Sequence, residues 1–103
     1  MQGFVKVAKA NDIKRGEMKA VEVEGERILL ANVSGELYAV AETCTHADFP
    51  LGDGFLEGEE VECVLHGSRF NVRTGAVVQE PANQPLKQYS VRVEGDDVLV
   101  GPA

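Results

Sequence analysis

Three features of the sequence predict an all-β fold, built as an antiparallel β-sandwich or small barrel. Apolar and polar residues alternate along most of the chain, helical periodicity is scarce, and glycine-centred turns separate the runs at short intervals. Residues 4–8 (Phe-Val-Lys-Val-Ala) read as the first strand. Only residues 11–17 could hold a helical turn. Residues 19–23 alternate, and Glu24-Gly25-Glu26 then turns the chain into a strand over 27–33. Ser34-Gly35-Glu36 turns it again into 37–41; β-branched runs broken by glycine in this way are hairpin signals. Later strands are expected at 60–64, 69–72, 76–79, 86–93 and 97–100, with turns at Arg73-Thr74-Gly75 and Glu94-Gly95-Asp96. There is no internal repeat, low-complexity tract or linker.

With 103 residues the expectation is one domain spanning 1–103. A chain of this size buries roughly 60–70% of its unfolded surface, so it needs no metal merely to fold. No apolar run approaches the ~18 residues of a membrane span, and Met1-Gln2-Gly3-Phe4-Val5-Lys6 lacks a signal-peptide core. The chain therefore reads as soluble, cytoplasmic and without membrane association. Two cysteines are too few for a disulfide framework, which fits a reducing compartment.

The net charge of −7 is unevenly spread. Residues 28–68 contain eight carboxylates (Glu36, Glu42, Asp48, Asp53, Glu57, Glu59, Glu60, Glu62) and no Lys or Arg. The rest of the chain is close to neutral. A solvated acidic face explains this simply, and nucleic-acid binding is disfavoured because phosphates need the opposite sign.

That acidic stretch also holds every cysteine and histidine of the chain, in two boxes: Cys44-Thr45-His46 and Cys63-Val64-Leu65-His66. Sixteen residues separate His46 from Cys63. Two Cys and two His form a complete four-ligand set for a metal centre. A structural zinc ion takes such a set, but its ligand pairs usually stand two to four residues apart. The C-x-H pair is tight for one ion. On an extended segment, residues two apart share a side and could reach two metal atoms of a small cluster. Two unrelated thiols beside two core histidines would be a coincidence, since all four fall within 23 residues. Each box is expected where a strand end meets a loop, Cys44 after the strand over 37–41 and Cys63 at the end of the strand over 60–64.

Cys44-x-His46, sixteen residues, then Cys63-x-x-His66-Gly67 resembles the signature of the Rieske [2Fe–2S] family. The resemblance extends through Leu51-x-x-Gly54, Val61-x-Cys63, Phe70, Thr74-Gly75, Pro81-Ala82 and Pro85-Leu86, and covers most of the chain. It implies one [2Fe–2S] cluster, with Cys44 and Cys63 on one iron and His46 and His66 on the other. It also implies a cluster-binding subdomain of two ligand loops, roughly residues 42–85. Two neutral imidazoles in place of two thiolates remove negative charge and lift the potential from about −400 mV into the range of about −150 to +300 mV.

Departures place the chain within that family. High-potential Rieske proteins of respiratory complexes carry an extra cysteine in each box, joined as a disulfide; Phe49 and Leu65 stand at those positions. Ser68 matches a serine that donates to cluster sulfur, but Phe70 replaces a tyrosine and has no hydroxyl to give. A membrane anchor is also missing. Fewer donors imply a potential at the low end of the range. Gly52, Gly54 and Gly67 are candidates for close backbone approach to sulfur, Leu51 for packing beside the cluster, and residues 81–85 for a third, shielding loop.

The resemblance implies a one-electron carrier rather than an enzyme. A catalytic Rieske oxygenase needs a further iron held by two more histidines and a carboxylate, and this chain has no histidine to spare. The implied partners are a flavoprotein NAD(P)H-dependent reductase and a terminal ring-hydroxylating dioxygenase of aromatic hydrocarbon catabolism, docking transiently and electrostatically near His46 and His66. The alternatives are a Rieske-like small subunit of a nitrite reductase or another oxidoreductase, and a zinc-stabilised interaction module.

Overall fold

The computed structural model describes residues 3–45, 48–65 and 67–102. Among the described residues ten strands form two sheets, and every pairing is antiparallel. Strands β1 (Val5–Lys9), β2 (Met18–Val23), β3 (Glu26–Val33), β4 (Glu36–Ala41), β9 (Gln88–Glu94) and β10 (Asp97–Gly101) make a six-stranded sheet in the order β1-β10-β9-β4-β3-β2. The sheet curls until its two edges, β1 and β2, face each other across a groove lined by Val5, Val7, Val21 and Val23, giving an almost closed barrel. Between β4 and β9 in sequence, β5 (Phe55–Glu57), β6 (Glu60–Glu62), β7 (Arg69–Asn71) and β8 (Val77–Gln79) make a meander of four short strands.

The hairpin signals are realised. Glu24 and Gly25 join β2 to β3, and Ser34 and Gly35 join β3 to β4, all four with positive φ (51°, 83°, 53° and 100°). Two-residue turns of that handedness match the twist of the strands they join. The helical turn expected over 11–17 is a single 3-10 turn, Ala10–Asp12.

Strand β3 explains how the two sheets cohere. Ile28, Leu29, Leu30 and Ala31 are all fully buried, so the strand is covered on both faces. Ile28 and Leu30 join Ile13, Ala39, Val98 and Val100 in the barrel core. Leu29 and Ala31 join Val40, Leu51, Val61, Phe70 and Leu86 in a second core under the four-stranded sheet. Successive residues point to opposite faces, so one strand serves two cores.

Three expectations are corrected. β5 lies where no strand was expected: three residues too short to show alternation, placed by pairing with β6. β6 stops at Glu62, so Cys63 lies one residue beyond the strand, in the loop itself. β9 begins at Gln88, because the backbone N–H of Leu86 is engaged by the carbonyl of Gly75 instead of by a neighbouring strand. Among the described residues no helix is long and apolar enough to cross a membrane.

Candidate metal centre

The two cysteine boxes are built on one backbone frame. The N–H of Cys44 donates to the carbonyl of Phe49 at 2.8 Å, and the N–H of Asp48 donates back to the carbonyl of Cys44 at 3.1 Å. In the second box the N–H of Cys63 donates to Ser68 O at 2.8 Å, and that of Gly67 to Cys63 O at 3.0 Å. The donor and acceptor spacings are the same in both. So is the backbone at the fourth residue after each cysteine, with φ of 49° at Asp48 and 79° at Gly67. The stems below also correspond: Thr43 bridges Pro50 as Glu62 pairs Arg69, and Leu51 N–H meets Glu42 O where Val61 pairs Phe70.

The first box follows β4 and enters a loop, as expected. Thr45 lies in a turn, and 44–49 is a closed six-residue loop. His46 and His66, the two histidine ligands expected from the sequence, lie outside the described residues. Each falls by sequence within one of these closed loops, 44–49 and 63–68.

The loops bring the cysteines together. Both are buried and belong to a single apolar core with Leu51, Val61, Phe70, Ala82 and Leu86. Leu51 shares that core with both cysteines. Phe70, fully buried, is a core residue as well as the one lacking a hydroxyl.

Residues 81–85 cover both loops. The backbone N–H of Ala82 donates to Ser68 Oγ at 3.0 Å, and Thr45 Oγ1 donates to the carbonyl of Gln84 at 2.8 Å. Ser68 is buried and accepts this bond, so its own proton is available to a further acceptor. Phe49 is half-buried and Leu65 is exposed.

Gly52 and Gly54 both stand close against protein on the side a Cβ would occupy. A Cβ on Gly54 would collide with the backbone carbonyl of Glu62, and one on Gly52 would stand 2.7 Å from Glu42 Oε2. Gly67 has open space around it, and its positive φ serves the loop frame.

Cations from just outside the acidic stretch fold back onto it. Arg27 holds the buried Glu42 through Nε at 2.8 Å and Nη2 at 2.7 Å. Arg69 gathers Glu57, Glu60 and Glu62 at 3.0, 3.3 and 2.7 Å, and these contacts raise its pKa. The stretch is therefore less acidic in space than in sequence. Sequence reasoning passed over both arginines; their abrupt arrival at each end of a base-free segment was the available signal. Exposed groups at the loops are Thr45, Asp48, Val64 and Leu65, joined by Pro81 and Gln84 of the covering segment.

The donor set fits an iron–sulfur cluster. Two thiols on separate loops lie in one apolar core, and each loop contributes one histidine by sequence.

The family model of the Rieske [2Fe-2S] domain matches residues 3–90. The ferredoxin component of biphenyl 2,3-dioxygenase from Rhodococcus jostii (strain RHA1) is 47% identical over 97 residues, covering 94% of this chain and 91% of that protein. Among solved structures, the ferredoxin of carbazole 1,9a-dioxygenase from Nocardioides aromaticivorans IC177 superposes with a TM-score of 0.93 at 36% identity, covering 99% of this chain and all of that one. A ferredoxin solved in complex with the reduced oxygenase of carbazole 1,9a-dioxygenase has the same TM-score, 0.93, at 34% identity, covering 98% of this chain and 94% of that one. Paired loops of one design, a matching domain model and near-complete alignment with these ferredoxins lead to one conclusion: the chain belongs to the Rieske [2Fe-2S] family and is an electron-transfer protein, not a catalyst.

Proposed function

We propose that Cys44, His46, Cys63 and His66 hold the cluster, thiolates on one iron and imidazoles on the other. We further propose that the chain, one domain over 1–103 with its cluster-binding part at 42–85, works in the cytoplasm. There it carries single electrons from a flavoprotein NAD(P)H-dependent reductase to a terminal aromatic-ring dioxygenase. The observation that carries this reading is the convergence of Cys44 and Cys63 in one buried core on loops of identical backbone closure. The kinship with dioxygenase ferredoxins supports the choice of partners.

When bound, a cluster of this ligand type supplies reversible one-electron chemistry at about −150 to +300 mV. The chain's own residues do the rest. Leu51, Phe70 and Ala82 exclude water from the thiolate side. The Ser68 hydroxyl can donate towards sulfur, whereas Phe70 cannot, which keeps the potential low. The Thr45–Gln84 and Ala82–Ser68 bonds hold the covering segment over both loops.

Docking occurs at the ligand loops. Val64 and Leu65, 42% and 48% exposed, offer an apolar contact there. Asp48 and the neighbouring Asp53 add negative charge that steers a basic partner, a contribution that salt weakens.

Spectroscopy and metal analysis of the purified protein test the reading. We expect reddish-brown protein with two irons and two sulfides per chain. The reduced state should give an EPR signal of average g below the free-electron value. A colourless protein carrying zinc would overturn it.

A further inference from the structure

The two ligand loops share a frame but not a foundation. The second stands on β6 and β7, inside a four-stranded sheet. The first runs on from the end of β4, and beyond that strand it is closed by an isolated bridge, Thr43–Pro50, by the Glu42–Leu51 contact and by a 3-10 turn, Leu51–Asp53. At the base of the second stem the buried residue is Val61, in the apolar core. At the corresponding place in the first stem is Glu42, a carboxylate whose side chain is only 3% exposed.

A buried carboxylate where its counterpart is valine is an expensive choice unless it is paired and used. It is paired with Arg27, and it lies where three elements meet, β2, β3 and the 3-10 turn Leu51–Asp53. Its N–H donates to Arg27 O at 3.1 Å, and its carbonyl accepts from Leu51 N–H at 2.8 Å. Its Oε1 takes two bonds from the Arg27 side chain, and its Oε2 fills the space beside Gly52 that a Cβ would need, next to Leu29 and Ala20. The first stem is thereby fastened to β3 through both backbone and side chain.

We propose that Arg27 and Glu42 are positioning residues for the metal centre: their ion pair fixes the first loop, and with it Cys44, in the place that sheet pairing secures for Cys63. This rests on the reading of Cys44 as a cluster ligand.

The test uses holoprotein and two readouts: the rate at which an iron chelator bleaches the visible absorbance, and the EPR g values of the reduced cluster. Glu42→Ala and Arg27→Gln are each expected to bleach about 10–100-fold faster than the parent, the usual scale for losing a group that orients a metal ligand, and to shift the g values. Arg27→Lys, which keeps the charge, should remain closer to the parent. Val100→Ala, in the barrel core, controls for general destabilisation: it should lower the melting temperature while leaving the g values and bleaching rate near those of the parent.

Parental bleaching and g values in Glu42→Ala and Arg27→Gln would overturn the proposal. So would equal changes in Val100→Ala. Should Glu42→Ala fail to fold, the contrast between Arg27→Gln and Arg27→Lys decides: separation supports the proposal, and identity overturns it. A parent protein without iron would instead sink the ligand assignment itself, an outcome distinct from any of these.

Discussion

The two apolar cores share a wall, β3 and β4, yet they are made differently. The barrel core is aliphatic, contributed largely by long strands in regular register: Ile28 and Leu30 from β3, Ala39 from β4, Val98 and Val100 from β10. The cluster-side core is assembled from three-residue strands and loops, and it includes Phe70, Cys44 and Cys63. Regular strands satisfy their own backbone and need only packing. Short strands and loops cannot, and they depend on cross-bonds such as Cys44–Phe49, Cys63–Ser68 and Ala82–Ser68. One half of the molecule is thus a self-sufficient scaffold, and the other is completed by what it holds.

Removing the cluster breaks the comparison most severely. Cys63→Ala should abolish cluster binding. Hydrogen exchange should then show protection retained in β3, β9 and β10 but lost across residues 42–86. Uniform loss in both halves would contradict the division.

Deleting a buried leucine from each core comes next. Leu30→Ala and Leu51→Ala should each cost about 2–5 kcal/mol in a denaturant titration. Only Leu51→Ala should also speed chelator bleaching and change the cluster's visible spectrum, because Leu51 shares a core with both cysteines.

Phe70→Tyr probes a subtler term. A hydroxyl donor beside the cluster favours the reduced state, and a hydrogen bond is worth about 0.5–1.5 kcal/mol, or roughly 20–60 mV for one electron. The potential should rise on that scale in a redox titration, and an unchanged value would remove the missing hydroxyl as the reason for a low potential.

The smallest effect lies on the barrel rim, where Asp97 of β10 bonds Lys9 and Lys6 of β1. The bond from Lys9 leads in holding the Asp97 carboxyl below its ordinary value of 3.8. A depressed carboxylate stabilises the fold above its unfolded pKa, and that contribution disappears as pH falls through the folded value. Asp97→Asn should therefore flatten the acid limb of the stability profile below about pH 4, by a modest amount at so exposed a site. The cluster spectrum should not change.

The barrel half was the more legible in sequence. The alternation in β2, the unbroken Ile28-Leu29-Leu30-Ala31 run and the two glycine hairpins located its strands to within a residue or two. In the other half, the boxes and the covering segment were visible because their residue types are distinctive. β5 was not, since three residues carry no period. The acidity of 28–68 was overestimated for a different reason: Arg27 and Arg69 become neutralising partners only through tertiary pairing, to which a linear count of charge is blind.

Residues 81–85 follow both boxes in the chain, and β9, which comes next, is stitched between β4 and β10. During synthesis both cysteine loops leave the ribosome before the segment that clasps them. The bonds that tie Ala82 to Ser68 and Thr45 to Gln84 can form only once that segment has been made. The order of the sequence therefore sets an order of assembly: both cysteine loops are made before the segment that covers them.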